Sequence, residues 1–391
     1  MIRFDRADAN MPKYCNGILP RVVDDAQWET AAHKLWEPDP TIPNSRLLHT
    51  RLPVQRPDAG TEIPKDIAGR LLMVFQNAGG RTNVWKQLPQ KGKTSLIHQA
   101  ARIRASLFDF NAPAEFFSEW FLPRTFTFMP ESLSFPVEPT REFWTNVFRV
   151  KIEATIRQEG NMIGWESDNH TVGPQALKAK EALLEFIPHI LPEDKGKQSE
   201  WMWRPVLEHG DYGIHNMSIT VDEATGEPSI TSIFDMDRGC IVRALLVDPE
   251  FAVSGCDFNA DENGGGTFSR LEDDDPEFKE RNMVYAKQYL EAIYEHAPNF
   301  KRAIIAGKDA RYLWFALRGW RGDDPEQFFG GLGKWAASRV AEIGVASGHD
   351  LGSAKSQENN KEIKAINGEE TQLAGCQDTK ALNEQEVQEA R

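Results

Sequence analysis

A short stretch near the middle of the chain, HGDYGIHN at residues 209–216, concentrates side chains that can accept protons and bind cations. Asp211 is followed five residues later by Asn216, and a further acidic residue, Asp235, lies downstream of two short apolar segments. In phosphoryl transfer, an Asp in the first position accepts the proton of a substrate hydroxyl, and the Asn and the second Asp hold Mg²⁺. Mg²⁺ takes oxygen ligands, which Asn and Asp supply. The spacing therefore predicts a site for Mg²⁺-dependent phosphoryl transfer.

Such a site needs an element that returns Asp235 to the side of Asn216. Two short segments with strand character, MSITVD (217–222) and SITSIFDMD (229–237), are separated by the polar turn sequence EATGEP. This arrangement predicts a β-hairpin between the two residues. The predicted hairpin would bring the two proposed magnesium ligands together.

Most of the remaining chain has helical periodicity. Over 93–110, Leu96, Ala100, Ile103 and Leu107 fall on one face of a predicted amphipathic helix. The same reasoning predicts helices over 24–36, 141–160, 174–191, 279–298, 300–320 and 324–344. We expect Asp24 or Asp25 to cap the first of these helices.

The segments without helical periodicity receive other predictions. GRLLMVFQNAGG at 69–80 is typical of a short buried strand that ends in a turn. The aromatic and proline-rich stretch 111–140 indicates an irregular surface, and 251–276 indicates a loop. From about residue 347 the chain is polar and almost free of large apolar residues, which predicts a disordered tail.

The composition favours a globular protein of the cytoplasm. Hydrophobic residues make up 40% of the 391 residues, whereas the net charge of −14 argues against a nucleic-acid-binding protein. We expect no secretory signal, because the N-terminal residues MIRFDRADANMPKY contain no apolar segment, and the sequence has no apolar run of about 18 residues that would predict a membrane span. The four cysteines form no CxxC pair and are expected to be reduced.

The two chemical motifs resemble those of a known family. HGDYGIHN followed by SITSIFDMDRG is similar to the HGDxxxxN…IIDWE pattern of aminoglycoside phosphotransferase-like enzymes, in particular of their fungal type. GRLLMVF resembles the strand that joins the two lobes of these enzymes, and LLVDPEFAV (245–253) resembles their Asp-Pro segment. RAIIAGKDARYLWFALRGWRGDDPEQFF resembles their C-terminal helices, so that the resemblance covers roughly residues 60–345.

The resemblance implies a role for each residue of the motifs. Asp211 would be the catalytic base, Asn216 and Asp235 would be the Mg²⁺ ligands, and His209 would brace the catalytic loop through its ring nitrogens. The chain departs from the pattern at Gly213, where many members carry a second His. Two further residues would have supporting roles: Asp237, two residues after the metal ligand Asp235, would help indirectly, and Asp248 would tie the segment after the metal loop to the catalytic loop.

The resemblance also implies an ATP site. The backbone from Met73 to Phe75 would hydrogen-bond the adenine ring, and Glu29 would be the helix Glu that pairs with a phosphate-binding Lys. Lys13 has a suitable spacing from Glu29 but lies in a poor strand sequence, whereas Arg21 lies in the better strand sequence GILPRVV. The sequence therefore leaves open whether Lys13 or Arg21 is the basic partner of Glu29. No GxGxxG loop precedes Glu29, so the N-terminal lobe is either incomplete, degenerate or unusually small.

The expected fold is therefore α+β: a two-lobed, protein-kinase-like structure with a reduced N-lobe and hinge strand (1–80), a mostly helical C-lobe that carries the catalytic loop (81–346), and the tail (347–391). The expected function is ATP- and Mg²⁺-dependent phosphoryl transfer to a hydroxyl of a small molecule. The acidic charge suggests an amine-bearing acceptor. The alternative is a pseudo-enzyme that keeps this fold as a binding module. A protein kinase is less favoured because no APE-like end follows Asp235.

Overall fold

The computed structural model describes residues 2–4, 18–54, 68–125, 133, 135–156, 169–193, 195–196, 199–270, 276–319 and 324–348. Lys13, Trp320 and all but the first two residues of the predicted tail lie outside these ranges. Within them, every helix falls short of the length and apolarity that a membrane span requires.

The structure combines helices with small antiparallel sheets, which confirms the α+β class. The helices are α1 (Ile18–Trp36), α2 (Gln90–Asp109), α3 (Ala114–Thr125), α4 (Arg141–Thr155), α5 (Asn169–Ile190), α6 (Glu200–Trp203), α7 (Pro276–His296), α8 (Pro298–Ala306), α9 (Lys308–Gly319) and α10 (Pro325–Gly348). The strands are β1 (Ile2–Phe4), β2 (Leu47–Arg51), β3 (Leu72–Phe75), β4 (Pro205–Glu208), β5 (Met217–Val221), β6 (Pro228–Ile233), β7 (Cys240–Arg243), β8 (Phe251–Val253), β9 (Cys256–Ala260) and β10 (Gly266–Ser269).

The chain divides into two compact units. The first comprises 1–144 and 191–311, and the second comprises 145–190 and 312–391. In the second unit, the ring of Trp335 lies 5.2 Å from that of Phe186 and 4.6 Å from that of Tyr312. Trp314 is buried and packs edge-on against Phe148. The tryptophans at 314 and 335 thus take part in helix packing.

The N-terminal region is a three-stranded sheet with one helix. The strand order is β1-β3-β2, and both neighbours run antiparallel to the central strand β3. Alternate residues of this strand, Met73 and Phe75, are buried together with Ala26 of α1. The buried strand predicted at 69–80 is confirmed, and it occupies the centre of the small sheet.

Helix α1 confirms the prediction for 24–36 but begins earlier. It starts at Ile18, so Asp24 and Asp25 lie inside the helix and do not cap it. Arg21 lies in the same helix, and the strand expected for GILPRVV is wrong. The apolar residues of GILPRVV precede the helical pattern of 24–36, and the structure includes those from Ile18 onward in the same helix.

The hairpin after the HGD motif is confirmed. Strands β5 and β6 are antiparallel, with Met217 opposite Ile233 at the open end. Asp222 accepts hydrogen bonds from the backbone N–H groups of Ala224 and Thr225 and so shapes the polar turn. The second strand ends at Ile233, two residues before Asp235.

The irregular surface predicted for 111–140 is wrong over part of its length, since residues 114–125 form α3. Pro123 lies in the last turn of this helix, where it lacks the N–H group for one helical hydrogen bond. Phe117 and Phe121 are buried, with their ring centroids 5.1 Å apart. Aromatic packing therefore stabilises a helix that the proline-rich composition did not suggest.

The loop predicted for 251–276 is also wrong, because 251–269 contains the antiparallel meander β8-β9-β10. The glycine run of this region forms the turn between the last two strands, and Asp261 accepts hydrogen bonds from the N–H groups of Asn263 and Gly265. A Cβ atom at Gly266 would lie 2.5 Å from the backbone N of Lys287. This close approach of α7 to β10 requires glycine there.

The predicted helix over 300–320 divides into α8 and α9 at Gly307. Helices α2, α4, α5, α7 and α10 confirm the remaining helix predictions. Cys240 and Cys256, the two cysteines in the described ranges, are free and buried, as expected for reduced thiols.

Candidate active site

Residues 209–216, named the catalytic loop for their expected role, and the loop that contains Asp235 are held together by a short sheet. Strand β4 leads into His209, and β7 follows the Asp235 loop; the two strands are antiparallel, with Glu208 opposite Cys240. Gly210 has a φ of 81°, and a Cβ atom there would overlap the carbonyl group of Arg238. A glycine is therefore required where the two loops cross.

The structure brings Asn216 next to both predicted acidic partners. Its side-chain Nδ2 donates to the carbonyl oxygen of Asp211 at 2.9 Å, and its own carbonyl oxygen accepts from the N–H of Phe234 at 3.1 Å. The residue after Phe234 is Asp235, with a φ of 68° in the left-handed region. A left-handed φ is uncommon in residues other than Gly, and the examples that occur cluster at functional sites.

These residues fit a magnesium ion by the chemistry of their donors. Because Nδ2 of Asn216 donates to Asp211, the amide oxygen of Asn216 faces away from that carbonyl group. This oxygen and the carboxylate of Asp235 are hard donors of the type that Mg²⁺ prefers, and Mg²⁺ usually completes its coordination with phosphate oxygens and water. No group of three or more His, Cys, Asp or Glu side chains suited to a metal occurs in the described part of the chain. A site with two protein ligands is thus the one these residues offer.

Asp211 is a half-buried carboxylate held by a histidine. Nε2 of His215 lies 3.1 Å from Oδ1 of Asp211, and the side chains are 37% and 30% exposed. Burial alone would raise the pKa of Asp211, but the hydrogen bond from His215 and the charges of His215 and Arg238 lower the pKa overall. Asp211 is therefore ionised at neutral pH and open enough for an incoming hydroxyl to reach it.

His215 was missed in the sequence analysis, and it explains the departure at Gly213. A Cβ atom at Gly213 would lie 2.6 Å from Cε1 and 2.7 Å from Nδ1 of the His215 ring. The ring thus fills the space that a side chain at position 213 would need. The signal in the sequence was the second His of HGDYGIHN, four residues after Asp211, which is close enough to contact it across one turn.

His209 lies beneath the catalytic loop and braces it. It is 1% exposed, and its Nε2 lies 3.0 Å from the carbonyl oxygen of Phe234, to which it donates. Burial lowers the pKa of His209 to about 4, because the charged ring would lose its hydration, and the nearby Asp211 and Asp235 offset this only in part. The neutral ring thus connects the catalytic loop to the residue that precedes Asp235.

Stability is expected to decrease in acid because of this buried histidine. The unfolded chain binds a proton at pH values below about 6.5, whereas the folded chain does so only below about 4. The free energy of unfolding should therefore fall by about 3 kcal/mol as the pH drops from about 6.5 to about 4. Above about pH 6.5 this stability is fully retained. Urea unfolding between pH 7 and pH 4 should show this loss in the wild type and a smaller loss in His209→Gln, whose amide can still donate to Phe234.

The matched control is His98→Gln, which changes an exposed histidine of α2. This variant should retain the pH dependence of the wild type. An equal pH dependence in His209→Gln would show that His209 does not carry the effect.

A buried ion pair supports the catalytic loop from the other side. The guanidinium group of Arg104 lies 2.5 Å from Oε2 of Glu208, and both side chains are almost fully buried. Arg104 also donates through Nε to the carbonyl oxygen of Asp248 at 3.2 Å, and the N–H of Asp248 donates to Oε1 of Glu208 at 3.3 Å. Burial would lower the pKa of Arg104, but the charge of Glu208 raises it overall. Asp248 is thus tied to the catalytic loop through Arg104 and Glu208.

The residues predicted to bind ATP lie on α1 and β3. Glu29 is buried on α1, and its Oε1 lies 3.9 Å from Nε2 of His33. The neighbouring Trp28 donates from its indole N–H to the carbonyl oxygen of Met236 at 2.8 Å, so α1 contacts the Asp235 loop directly. The backbone of Met73 faces a paired strand on each side. The binding of adenine by Met73 and Phe75, and of phosphates through Glu29, remains a prediction.

A cavity of about 610 Å³ lies between the segment after α1 and helix α2, apart from these residues. Its polar lining includes Gln99, Arg102, Asp109 and His296. None of the predicted site residues lines it. The loop geometry therefore identifies the candidate site, and cavity volume does not.

No protein-family model matches the chain, and no curated protein matches its sequence. Solved structures match over most of the chain. Aminoglycoside 2'-phosphotransferase-IIIa in its GDP complex is 12% identical, with a TM-score of 0.34 over 82% of this chain and 84% of that chain. APH(2″)-IIa with streptomycin and ATP is 9% identical, with a TM-score of 0.38 over 83% and 81%. A microcompartment-associated aminopropanol kinase is 14% identical, with a TM-score of 0.33 over 87% and 86%. TM-scores this low add no argument, so the interpretation rests on the residues of the site itself.

Proposed function

We propose that the protein is a kinase-like phosphotransferase that moves the γ-phosphoryl group of ATP to a hydroxyl of a small molecule, with Mg²⁺ as cofactor. The observation that carries the proposal is the position of Asn216, which hydrogen-bonds to the backbone of both Asp211 and Phe234. The proposal assigns the base and the two metal ligands to the pair of loops that these hydrogen bonds join. Catalysis of this kind depends mainly on positioning and on neutralising charge.

Each residue has a defined task in this mechanism. Asp211, ionised and held by His215, would accept the proton of the acceptor hydroxyl as the hydroxyl oxygen bonds to the γ-phosphorus. The bond between the γ-phosphorus and the β–γ bridging oxygen breaks, and ADP leaves with its electron pair. Asn216 and Asp235 would hold Mg²⁺, which when bound neutralises charge on the phosphate oxygens. His209 remains neutral and keeps the two loops together. Glu29 and the backbone of Met73 to Phe75 would orient the nucleotide.

The acceptor is proposed to be small and to carry an amine, because the net charge of −14 favours cationic ligands. The free, buried thiols of Cys240 and Cys256 accord with a cytoplasmic protein. The alternative function, a pseudo-enzyme that keeps the fold for binding, differs in one measurable respect. It would bind a nucleotide weakly, or bind it without turnover.

The first test is thermal unfolding with ATP and Mg²⁺ on the wild type and on Asp235→Asn. Asn tolerates the left-handed backbone at 235 but lacks the charge that binds the cation. A ligand at 100 times its Kd stabilises a protein by about 2.7 kcal/mol, so the wild-type Tm should rise by several degrees. The rise should be lost with EDTA and in Asp235→Asn.

Asp222→Asn is the matched control, since it makes the same change at the opposite end of the same hairpin. It should respond to Mg²⁺-ATP like the wild type. A rise that is accompanied by no turnover on any hydroxyl compound would favour the pseudo-enzyme. No rise in the wild type would contradict both the proposed cofactor and the proposed function.

A further inference from the structure

The loop that follows Asp235 is held by two side chains from outside the catalytic motifs. Trp28 on α1 donates from Nε1 to the carbonyl oxygen of Met236 at 2.8 Å. Arg124 on α3 donates from Nε to the carbonyl oxygen of Gly239 at 3.0 Å, and from its other end to the carbonyl oxygen of Asp237. Three carbonyl groups of the loop 236–239 therefore accept hydrogen bonds from these two residues.

The two side chains also hold each other. The guanidinium group of Arg124 lies over the indole ring of Trp28, 5.2 Å from its centroid. Its Nη1 forms an ion pair with Asp25, one helical turn before Trp28, at 2.5 Å. Trp28 is fully buried and Arg124 is 10% exposed. Water competes little for contacts in such a setting, so these hydrogen bonds fix the loop strongly.

The backbone of the loop 236–239 approaches Trp28 so closely that Gly239, at the end of the loop, leaves no room for a side chain. A Cβ atom at Gly239 would lie 2.7 Å from Nε1 of Trp28 and 2.9 Å from the carbonyl oxygen of Met236. At its other end, Asp235 holds a left-handed φ of 68°, which costs free energy and persists only where the surroundings enforce it. The hydrogen bonds from Trp28 and Arg124 begin at the very next residue, Met236.

We infer that Trp28 and Arg124 are positioning residues that hold the loop of Asp235 in place for metal binding. The inference rests on the proposed function, since it assigns the metal to Asp235. It adds that α1 and α3, and not only the catalytic hairpin, determine the affinity for the cation. Neither residue touches the reacting atoms.

The test is a titration of the full chain with Mn²⁺ in the presence of ATP, followed by electron paramagnetic resonance of free Mn²⁺ and corrected with a protein-free titration for the Mn²⁺ that ATP binds by itself. Trp28→Phe keeps the ring but removes the N–H donor, and Arg124→Lys keeps the charge but cannot reach two carbonyl groups at once. Each should raise the Kd for Mn²⁺ about tenfold, the factor expected for the loss of one buried hydrogen bond. Arg124→Met should raise it further.

Arg311→Met is the matched control, because Arg311 also donates to a backbone carbonyl, that of Ile304, away from the loop. It should lower the Tm without changing the Kd for Mn²⁺. In the Trp28 and Arg124 variants, the concentration of Mg²⁺ that gives half the maximal rate should rise by a larger factor than the factor by which kcat falls. If the two residues only stabilised the fold, their variants would have a lower Tm but the wild-type Kd for Mn²⁺ and the wild-type Mg²⁺ concentration at half-maximal rate.

The outcomes separate this inference from the function on which it rests. Folded Arg124→Lys and Trp28→Phe variants that bind Mn²⁺ with the wild-type Kd would overturn the positioning role and leave the proposed function intact. Absence of ATP-dependent Mn²⁺ binding in the wild type would overturn both.

Discussion

Replacement of Asp211 by Asn is expected to lower kcat by about 10²–10⁴-fold, the range that a general base contributes. The amide cannot accept a proton from the acceptor hydroxyl, although it preserves the size of the side chain. Its oxygen can still accept the hydrogen bond that His215 now gives to Oδ1 of Asp211. The loop should therefore keep its conformation. The measurement is the rate of ADP release with an acceptor identified by screening hydroxyl compounds, at saturating Mg²⁺-ATP.

The Asp211 variant should retain the Tm rise with Mg²⁺-ATP, because the carboxylate is not one of the proposed metal ligands. This separates loss of chemistry from loss of binding. Asp261→Asn is a suitable control, since Asp261 shapes the turn between β9 and β10 through the N–H groups of Asn263 and Gly265. Its kcat should match that of the wild type. An Asp211→Asn enzyme that retained the wild-type kcat would place the base elsewhere.

Breaking the buried ion pair beneath the catalytic loop is expected to have the largest effect on stability. Glu208→Leu leaves the guanidinium group of Arg104 buried without its carboxylate, which typically costs about 3–5 kcal/mol of unfolding free energy. The double variant Arg104→Met/Glu208→Leu replaces both charges with apolar groups and should recover much of that loss. Urea unfolding of the wild type, Glu208→Leu, Arg104→Met and the double variant gives the coupling energy between the two side chains directly.

The Arg204–Asp109 pair provides the contrast, at 3.3 Å and with side chains 23% and 57% exposed. Arg204→Met should cost no more than about 1 kcal/mol, because water and salt screen such a pair. Equal losses in Glu208→Leu and Arg204→Met would show that leaving the buried guanidinium group of Arg104 unpaired costs no more than breaking an exposed pair.

Local patterns in the sequence predicted most of the elements that carry the site. The helical face of α2 and the hairpin β5–β6 each depend on residues close in sequence, and both are confirmed. The pattern failed where distant contacts decide the structure. Helix α3 carries Pro123 and many aromatic residues, and its burial against other parts of the chain outweighs its composition.

The same distinction applies within the candidate site. Asp211 and Asn216 stand in one motif, so a single sequence could suggest them together. The partners Arg104 and Glu208 lie 104 residues apart, and Arg124 lies 115 residues before Gly239. Nothing in the local pattern around Arg104 or Arg124 distinguishes them from surface arginines of an amphipathic helix. Only the folded structure shows that they hold the two loops.

The left-handed backbone of Asp235 has a consequence for engineering this protein. Glycine adopts that conformation without the steric cost that any side chain imposes, about 1–2 kcal/mol, so the backbone at this position favours a residue that cannot bind a cation. Under the proposed function, thermostability and cation binding thus make opposite demands on Asp235. Selection of variants by melting temperature alone would then favour Gly at position 235, at the expense of the proposed metal ligand.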